Sequence, residues 1–149
     1  MTKADKELLL HFVTRISMYI HPKEASSVVN FITGYEIGTR DECDFTEQLK
    51  QLLSDKYKVD YSSDGWTGQI KRLAKRRHST WLILFRRLTL ELIVNDEGDG
   101  LDETQQAFLK AMVIGRLEQL MEIGTVGFRE YWVEDWLSLC TVKSSWFKQ

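Results

Sequence analysis

Apolar residues recur at helical spacing along most of this chain. Near the N-terminus they repeat at intervals of one and three to four positions, which is the pattern of an amphipathic helix. The spacing predicts a first helix over about residues 3–17. The residues of its predicted apolar face are Leu8, Leu9, Phe12, Val13 and Ile16.

Local signals at helix ends predict the next three helices. Pro22 is predicted to sit in the first turn of a second helix, which ends near Gly38, because proline is tolerated at a first helical position. Asp44, followed by Glu47 three residues later, is a variant of the capping box and predicts the start of a third helix. A fourth helix is predicted to begin near Trp66.

Three more helices are predicted in the second half. The fifth covers about residues 80–94 and is apolar on most of its circumference, which is typical of a central helix. The sixth is predicted to begin at Asp102 and end at Gly124, and the seventh to cover about residues 128–141. Because no clean alternating run of strand length is present, the pattern predicts an all-α bundle of six or seven helices.

The length of 149 residues predicts one domain over residues 1–149. The N-terminus lacks the apolar stretch of a secretory signal, and the most apolar run is interrupted by charges and too short to span a bilayer. We therefore expect a cytoplasmic protein without membrane contact. Cys43 and Cys140 lack paired spacing, so they are predicted to be reduced core thiols.

Motifs of known chemistry are missing from the sequence. It has no HExxH, GxSxG, GxGxxG or GxxxxGK[ST] pattern, and His11, His21 and His78 are scattered. We therefore expect no catalytic residue, no metal and no cofactor, and interpret the protein as non-enzymatic. A helical enzyme that assembles carboxylates from distant helices remains a third hypothesis.

Charge is distributed in blocks. Residues 66–90 contain seven Lys or Arg and no Asp or Glu, whereas residues 1–65 contain 8 basic and 11 acidic residues and residues 91–149 contain 5 and 11. Helical spacing places Lys71, Arg72, Lys75 and Arg76 on one face of the fourth helix, a plausible ridge for phosphates. A binding or regulatory protein that uses the basic ridge of residues 71–77 on nucleic acid is the alternative function. The isoelectric point near 5.9 argues against nucleic acid as the main partner.

Two further features of the segment from residue 65 to residue 87 suggest a structural or binding role. Gly65 and Gly68 precede the basic residues of the fourth helix, and a helix N-terminus of this kind can hold a phosphate. Arg86 and Arg87 lie inside the apolar fifth helix, where an unpaired charge would be costly. Candidate ion-pair partners for these two arginines are Glu91 and Glu36.

Acidic residues form two clusters, one around residues 41–47 and one in the glycine-containing loop after residue 95. Acids in a first helical turn also stabilise the helix N-terminus, which accounts in part for Asp44, Glu47, Asp102 and Glu103. The loop acids are not explained in this way, and such a loop can steer and dock a basic partner. The predicted partner-binding residues are Asp96, Glu97, Asp99, Asp102, Glu103, Asp41 and Glu42.

Three stretches together resemble small helical immunity proteins of bacterial polymorphic-toxin systems, especially those of contact-dependent growth inhibition. They are FITGYEIGTRDECDF at residues 31–45, DGWTGQIKRLAKRR at residues 64–77 and WLILFRRLTLELI at residues 81–93. The resemblance implies a cytoplasmic, non-enzymatic protein that binds one cognate toxin, commonly a nuclease, and blocks its active site. It assigns no individual contact residue, since these families share no fixed contact set.

Overall fold

A computed structural model describes residues 1–96, which form five α-helices and one short 3₁₀ helix. The helices are α1 (Lys3–Thr14), α2 (Ala25–Gly38), α3 (Phe45–Asp55), α4 (Gly65–Arg76) and α5 (Trp81–Asn95), and the 3₁₀ helix is Ile16–Met18. No strand occurs within these 96 residues, so the all-α prediction is confirmed. The predicted sixth and seventh helices lie outside the described residues.

Helix α5 is central in the described part of the chain, as its apolar circumference predicted. It packs against α1, α3 and α4. Phe85 is fully buried, and its ring lies 5.3 Å from that of Trp81, 6.1 Å from that of Trp66 and 6.3 Å from that of Phe45. Ring contacts of this kind add to the hydrophobic gain from burial, so the aromatic cluster fixes three helices on one another.

The first two helices differ from prediction at their ends. Helix α1 ends at Thr14, and a 3₁₀ turn continues the chain where three more α-helical residues were expected. The prediction that Pro22 lies in the first turn of α2 is wrong, because α2 begins at Ala25. Pro22 instead belongs to a turn in which the Glu24 amide donates a 3.0 Å hydrogen bond to the Pro22 carbonyl.

The start of α3 corrects a second prediction. Asp44 is the residue before the helix, but its side chain makes no capping hydrogen bond, so the capping box with Glu47 is wrong. Glu36 of α2 supplies the cap, since its Oε2 accepts hydrogen bonds from the amide and the hydroxyl of Thr46, at 3.3 and 3.0 Å. A first-turn amide of α3, which has no partner within its own helix, is thereby satisfied by a neighbouring helix.

Three helix ends share one backbone feature. The chain adopts a left-handed conformation at Arg40 (φ 55°) after α2, at Lys58 (φ 56°) after α3 and at His78 (φ 50°) after α4. Glycine is the usual residue at this position because it has no Cβ. Each of the three helices is instead followed by a residue with a basic side chain, which suits the negative end of the helix dipole.

A buried glutamine holds the connection between α3 and α4. Gln69 is fully buried, and its Nε2 donates hydrogen bonds to the Val59 carbonyl at 2.8 Å and to the Ser54 hydroxyl at 3.3 Å. Gln69 lies three residues after Trp66 and four before Leu73, so the apolar spacing already places it on the core face of α4. The loop after α3 is therefore tied to α4 from inside the protein.

Candidate functional site

The turn between α2 and α3 presents two acidic side chains to solvent. The Asp41 amide donates to the Glu36 carbonyl at 3.1 Å, and the Thr39 hydroxyl donates to the same carbonyl at 2.8 Å. Cys43 is buried beneath the turn, and burial raises the pKa of its thiol to about 11. Asp41 and Glu42 are exposed, and neither side chain has a hydrogen bond or ion pair with any residue in the described part of the chain.

A second acidic residue enters the same region from the end of α5. The Gln48 amide donates to Oδ2 of Asp44 at 2.9 Å and to Oδ1 of Asp96 at 3.2 Å. The Met1 ammonium lies 3.1 Å from Oδ1 of Asp44 and 3.0 Å from Oδ2 of Asp96. These bridges place Asp44 of the first acidic cluster beside Asp96, which begins the second.

The charges in this network perturb one another's pKa. Burial lowers the pKa of the Met1 ammonium, but its hydrogen bonds and charge interactions with Asp96 and Asp44 outweigh burial and raise it overall. Burial raises the pKa of Asp44, but the hydrogen bonds from Gln48 and the ammonium outweigh burial and leave it below its ordinary value. Asp44 therefore stays ionised at neutral pH, as a negatively charged member of this surface.

Lys6 anchors Asp96 from the protein interior. Its side chain is fully buried, and Nζ lies 3.0 Å from the backbone carbonyl oxygen and 3.4 Å from Oδ2 of Asp96. The Asp96 side chain is only 7% exposed. Lys6 lies three residues before Leu9 and seven before Val13, and this position on the apolar face was the signal in the sequence for its burial.

The predicted partner-binding residues thus fall into three groups. Asp41 and Glu42 are exposed on the turn, whereas the Asp96 carboxylate lies against Lys6 and the Met1 ammonium inside the fold. The remaining four, Glu97, Asp99, Asp102 and Glu103, lie outside the described residues. Asp96, the last described residue of the second acidic cluster, lies beside Asp44 of the first. We call Asp41, Glu42, Asp44, Glu47 and Asp96 together the acidic end of α3.

The N-terminus of α4 is filled by a carboxylate of its own. Asp64 Oδ2 lies 2.5 Å from Nη1 of Arg72, and the Ser62 hydroxyl donates to Oδ1 at 2.7 Å. These hydrogen bonds, led by the one from Arg72, lower the pKa of Asp64. A Cβ at Gly68 would overlap this carboxylate. The phosphate that the sequence suggested at Gly65 and Gly68 would compete with Asp64 for the same place.

The basic ridge of α4 divides by structural role. Arg72 pairs with Asp64 and donates to the Asp60 carbonyl at 2.7 Å, so it serves the loop before α4. Lys71 and Lys75 are exposed and make no hydrogen bond or ion pair with the residues that the structure describes. The ridge therefore contains both a paired arginine, Arg72, and two lysines without an ion pair among the described residues.

Glu91 joins α5 to the end of α3. Its Oε2 accepts a 2.6 Å hydrogen bond from the Tyr57 hydroxyl, and its Oε1 pairs with Lys56. Burial, followed by the hydrogen bond to Glu91, raises the pKa of Tyr57, so this hydroxyl remains protonated at neutral pH. Glu36, the other predicted partner of the α5 arginines, is engaged at the α3 cap.

Within residues 1–96 no group of three His, Cys, Asp or Glu side chains is arranged to hold a metal ion. None of the five described helices is long and apolar enough to cross a membrane. The chain matches no protein-family model, and neither a curated protein nor a solved structure shows significant similarity to it.

Proposed function

We propose that this protein is an immunity protein, which binds a cognate bacterial toxin and occludes its active site with an acidic surface. The observation that carries the proposal is the acidic end of α3. There the exposed Asp41 and Glu42 lie on an anchored turn, and the second acidic segment begins beside Asp44. The resemblance to immunity proteins of contact-dependent growth inhibition points to the same function.

The chemistry of the partner follows from charge. A nuclease active site is basic because it binds phosphate, and an acidic surface can occupy it in place of the substrate. Carboxylates at the rim of such an interface mainly accelerate association and fix the orientation of the two partners. They add less to the affinity of the complex. The expected partner is therefore a basic toxin domain, with a nuclease as the first candidate.

The anchored turn also favours tight binding. A loop that must be ordered on binding loses conformational entropy and weakens the complex. Here hydrogen bonds to the Glu36 carbonyl and the buried Cys43 already hold the turn in place. Asp41 and Glu42 can then contact a partner with little reorganisation of the backbone.

The function is tested by protection of growth. The protein is co-expressed in a sensitive host with the C-terminal domain of the large secreted protein encoded next to its gene. We expect that domain to arrest growth alone and growth to recover when this protein is present. Growth arrest that persists despite the folded protein, or a locus without such a neighbour, would overturn the proposal.

The surface is tested by charge reversal with the purified toxin domain. Asp41→Lys with Glu42→Lys should slow association at least tenfold at low salt and reduce the salt dependence of its rate. The matched control is Asp55→Lys with Asp60→Lys, which makes the same charge change at exposed positions near the other end of α3. Equal association rates for the two double variants would show that the acidic end is not the contact surface.

A further inference from the structure

The basic ridge of α4 is part of a larger basic surface that does not include any residue of the acidic end. Lys71, Lys75 and Arg76 are exposed on the later part of α4, Arg77 is exposed directly after it, and Lys58 is exposed in the loop after α3. We call these five residues the basic face. It lies toward the C-terminal end of α3, whereas Asp44 and Glu47 lie at the opposite end of the same helix.

Two arginines of the basic face contact neighbouring residues. Arg76 Nη1 donates a 3.1 Å hydrogen bond to the Lys58 carbonyl. The guanidinium of Arg77 lies 4.8 Å from the ring centroid of Tyr57, a cation–π distance. A guanidinium has five N–H donors, so each arginine keeps most of them for a ligand after these contacts. A contact that limits the conformations of a side chain lowers the entropy lost when an anion binds.

Local stability does not explain all of these cations. Lys75 and Arg76 lie in the last turn of α4, where a cation is favoured by about 0.3–1 kcal/mol. Lys71 precedes that turn, and it repels Lys75 four residues later on the same face. Lys58 also occupies a left-handed position, where any side chain is unfavourable relative to glycine. The helix dipole therefore accounts for Lys75 and Arg76 but not for Lys71, which leaves Lys71 available for a role in binding.

We propose that the basic face binds the phosphodiester backbone of nucleic acid, without reading its sequence. Protein interfaces usually have an apolar centre, whereas nucleic-acid interfaces are more polar and strongly basic. The large apolar side chains that are exposed within residues 1–96 are Met18, Tyr19, Ile37 and Tyr61, and none of them belongs to the basic face. A polyanion therefore fits this face better than a protein partner does. The inference is independent of the proposed toxin binding.

The probes are a 20-nucleotide oligo-dT, the matching RNA and a 20-base-pair DNA duplex, each carrying a fluorophore. Fluorescence anisotropy is measured on the full chain between 50 and 200 mM salt. Binding should weaken steeply as salt rises, because each neutralised phosphate releases counterions. Lys71→Gln with Lys75→Gln should lower affinity about tenfold and reduce the salt slope by about 2, because each phosphate-binding lysine contributes about 1 to that slope.

Two controls separate binding from structure. Lys3→Gln with Arg15→Gln removes two exposed cations from α1 and the residue that follows it, and should leave the salt slope nearly unchanged. Lys58→Gly should stabilise the fold while weakening binding, since glycine suits φ 56° but carries no charge. A role limited to the helix end would give the stabilisation without the loss of affinity.

Several outcomes overturn the inference. One is that none of the three probes binds at 50 mM salt. Another is that the Lys71→Gln/Lys75→Gln variant binds as tightly as the unaltered chain. Binding to anionic phospholipid vesicles or to poly-glutamate in preference to all three nucleic acids would assign the face to another partner. In the toxin assay, Lys71→Gln with Lys75→Gln should keep full protection, so failure of this inference and failure of the proposed function are distinguishable.

Discussion

The hydroxyl of Tyr35 lies 2.5 Å from Oδ1 of Asp5, and this hydrogen bond joins α2 to the first turn of α1. Asp5 also caps its own helix, because Oδ2 accepts from the Thr2 amide while the Thr2 hydroxyl accepts from the Asp5 amide. One carboxylate therefore completes the N-terminus of α1 and fixes the position of the helix that leads into the acidic turn.

This contact makes stability depend on pH. Burial raises the pKa of Asp5, but the hydrogen bonds from Tyr35 and Thr2 outweigh burial and hold it below its ordinary value. Because the pKa of Asp5 is lower in the folded protein, its ionised carboxylate stabilises the fold fully above the pKa of the unfolded chain, near 3.9. This stabilisation is lost as the pH falls through the folded pKa. Burial, and then the bond to Asp5, raises the pKa of Tyr35, so its contribution is present below about pH 10 and is lost as pH rises through its folded value.

Tyr35→Phe should therefore lower the free energy of unfolding at pH 7 by about 1.5–3 kcal/mol, the usual value of a hydrogen bond to a charged group. The difference should shrink at pH 3, because folded Asp5 without the Tyr35 hydrogen bond has a higher pKa and is protonated more readily there. Urea denaturation at the two pH values measures both effects. Tyr19→Phe is the matched control, since Tyr19 is 40% exposed, and should change stability by less than about 0.5 kcal/mol. An equal loss for Tyr35→Phe at both pH values would contradict the role of Asp5.

The buried pair of Lys6 and Asp96 should be costly to break on one side only. Lys6→Met leaves the Asp96 carboxylate in a buried position with fewer compensating charges and should destabilise the fold by on the order of 3 kcal/mol. Adding Asp96→Asn to Lys6→Met should restore part of that loss, because the remaining charge is removed as well. Chemical denaturation of the two single variants and the double variant gives the coupling energy. Strictly additive losses would mean that the two side chains do not interact.

Glycine should stabilise the turn after α2. A left-handed residue costs roughly 1–2 kcal/mol relative to glycine, and the extra freedom of glycine in the unfolded chain offsets about 0.5–1 kcal/mol of that. Arg40→Gly should therefore raise the free energy of unfolding by about 0.5–1 kcal/mol. Gly65→Ala is the reverse control, because Gly65 has φ +68° and open space around it. Gly65→Ala should destabilise the fold. Thermal unfolding should therefore show a higher melting temperature for Arg40→Gly and a lower one for Gly65→Ala.

Two helical glycines should respond differently to alanine. Gly34 in α2 has no atom within 4 Å of the position that a Cβ would take, so Gly34→Ala should stabilise the fold by about 0.5–1 kcal/mol through helix propensity alone. A Cβ at Gly68 would displace the Asp64 carboxylate from Arg72, so the pKa of Asp64 should rise toward its ordinary value. Carboxyl chemical shifts followed by NMR during a pH titration report this change. An unchanged Asp64 pKa in Gly68→Ala would mean that the contact with Arg72 survives.

Much of the helical framework was predictable because its signals are local. The apolar spacing of α1 identified Leu9, Phe12 and Val13, which are fully buried. The start of α5 near residue 80 was also predicted, and Thr80 caps that helix by accepting from the Ile83 amide at 3.2 Å. One failure occurred where a residue of another helix supplied the partner. The capping box predicted at Asp44 was wrong because Glu36 reaches Thr46 from another helix.

The candidate site divides in the same way. The sequence singled out both acidic clusters, and it predicted that Asp41 and Glu42 would be available to a partner, which stays a prediction. It could not indicate that Asp96 turns inward, because Lys6 lies 90 residues away along the chain. Lys6 itself fell on the apolar face of α1, but a charged residue at such a position has no known partner until the helices are packed.

By itself the sequence determined the all-α class, the helices and most of their buried faces, because helix formation and amphipathic spacing depend on residues within a few positions of one another. Only the tertiary structure decided how the charges are used. It placed Asp44 beside Asp96 and gave the α3 cap to Glu36. The physical reason is that hydrogen bonds and ion pairs act over a few ångströms in space, and the packing of α1, α3 and α5 decides which charges come that close.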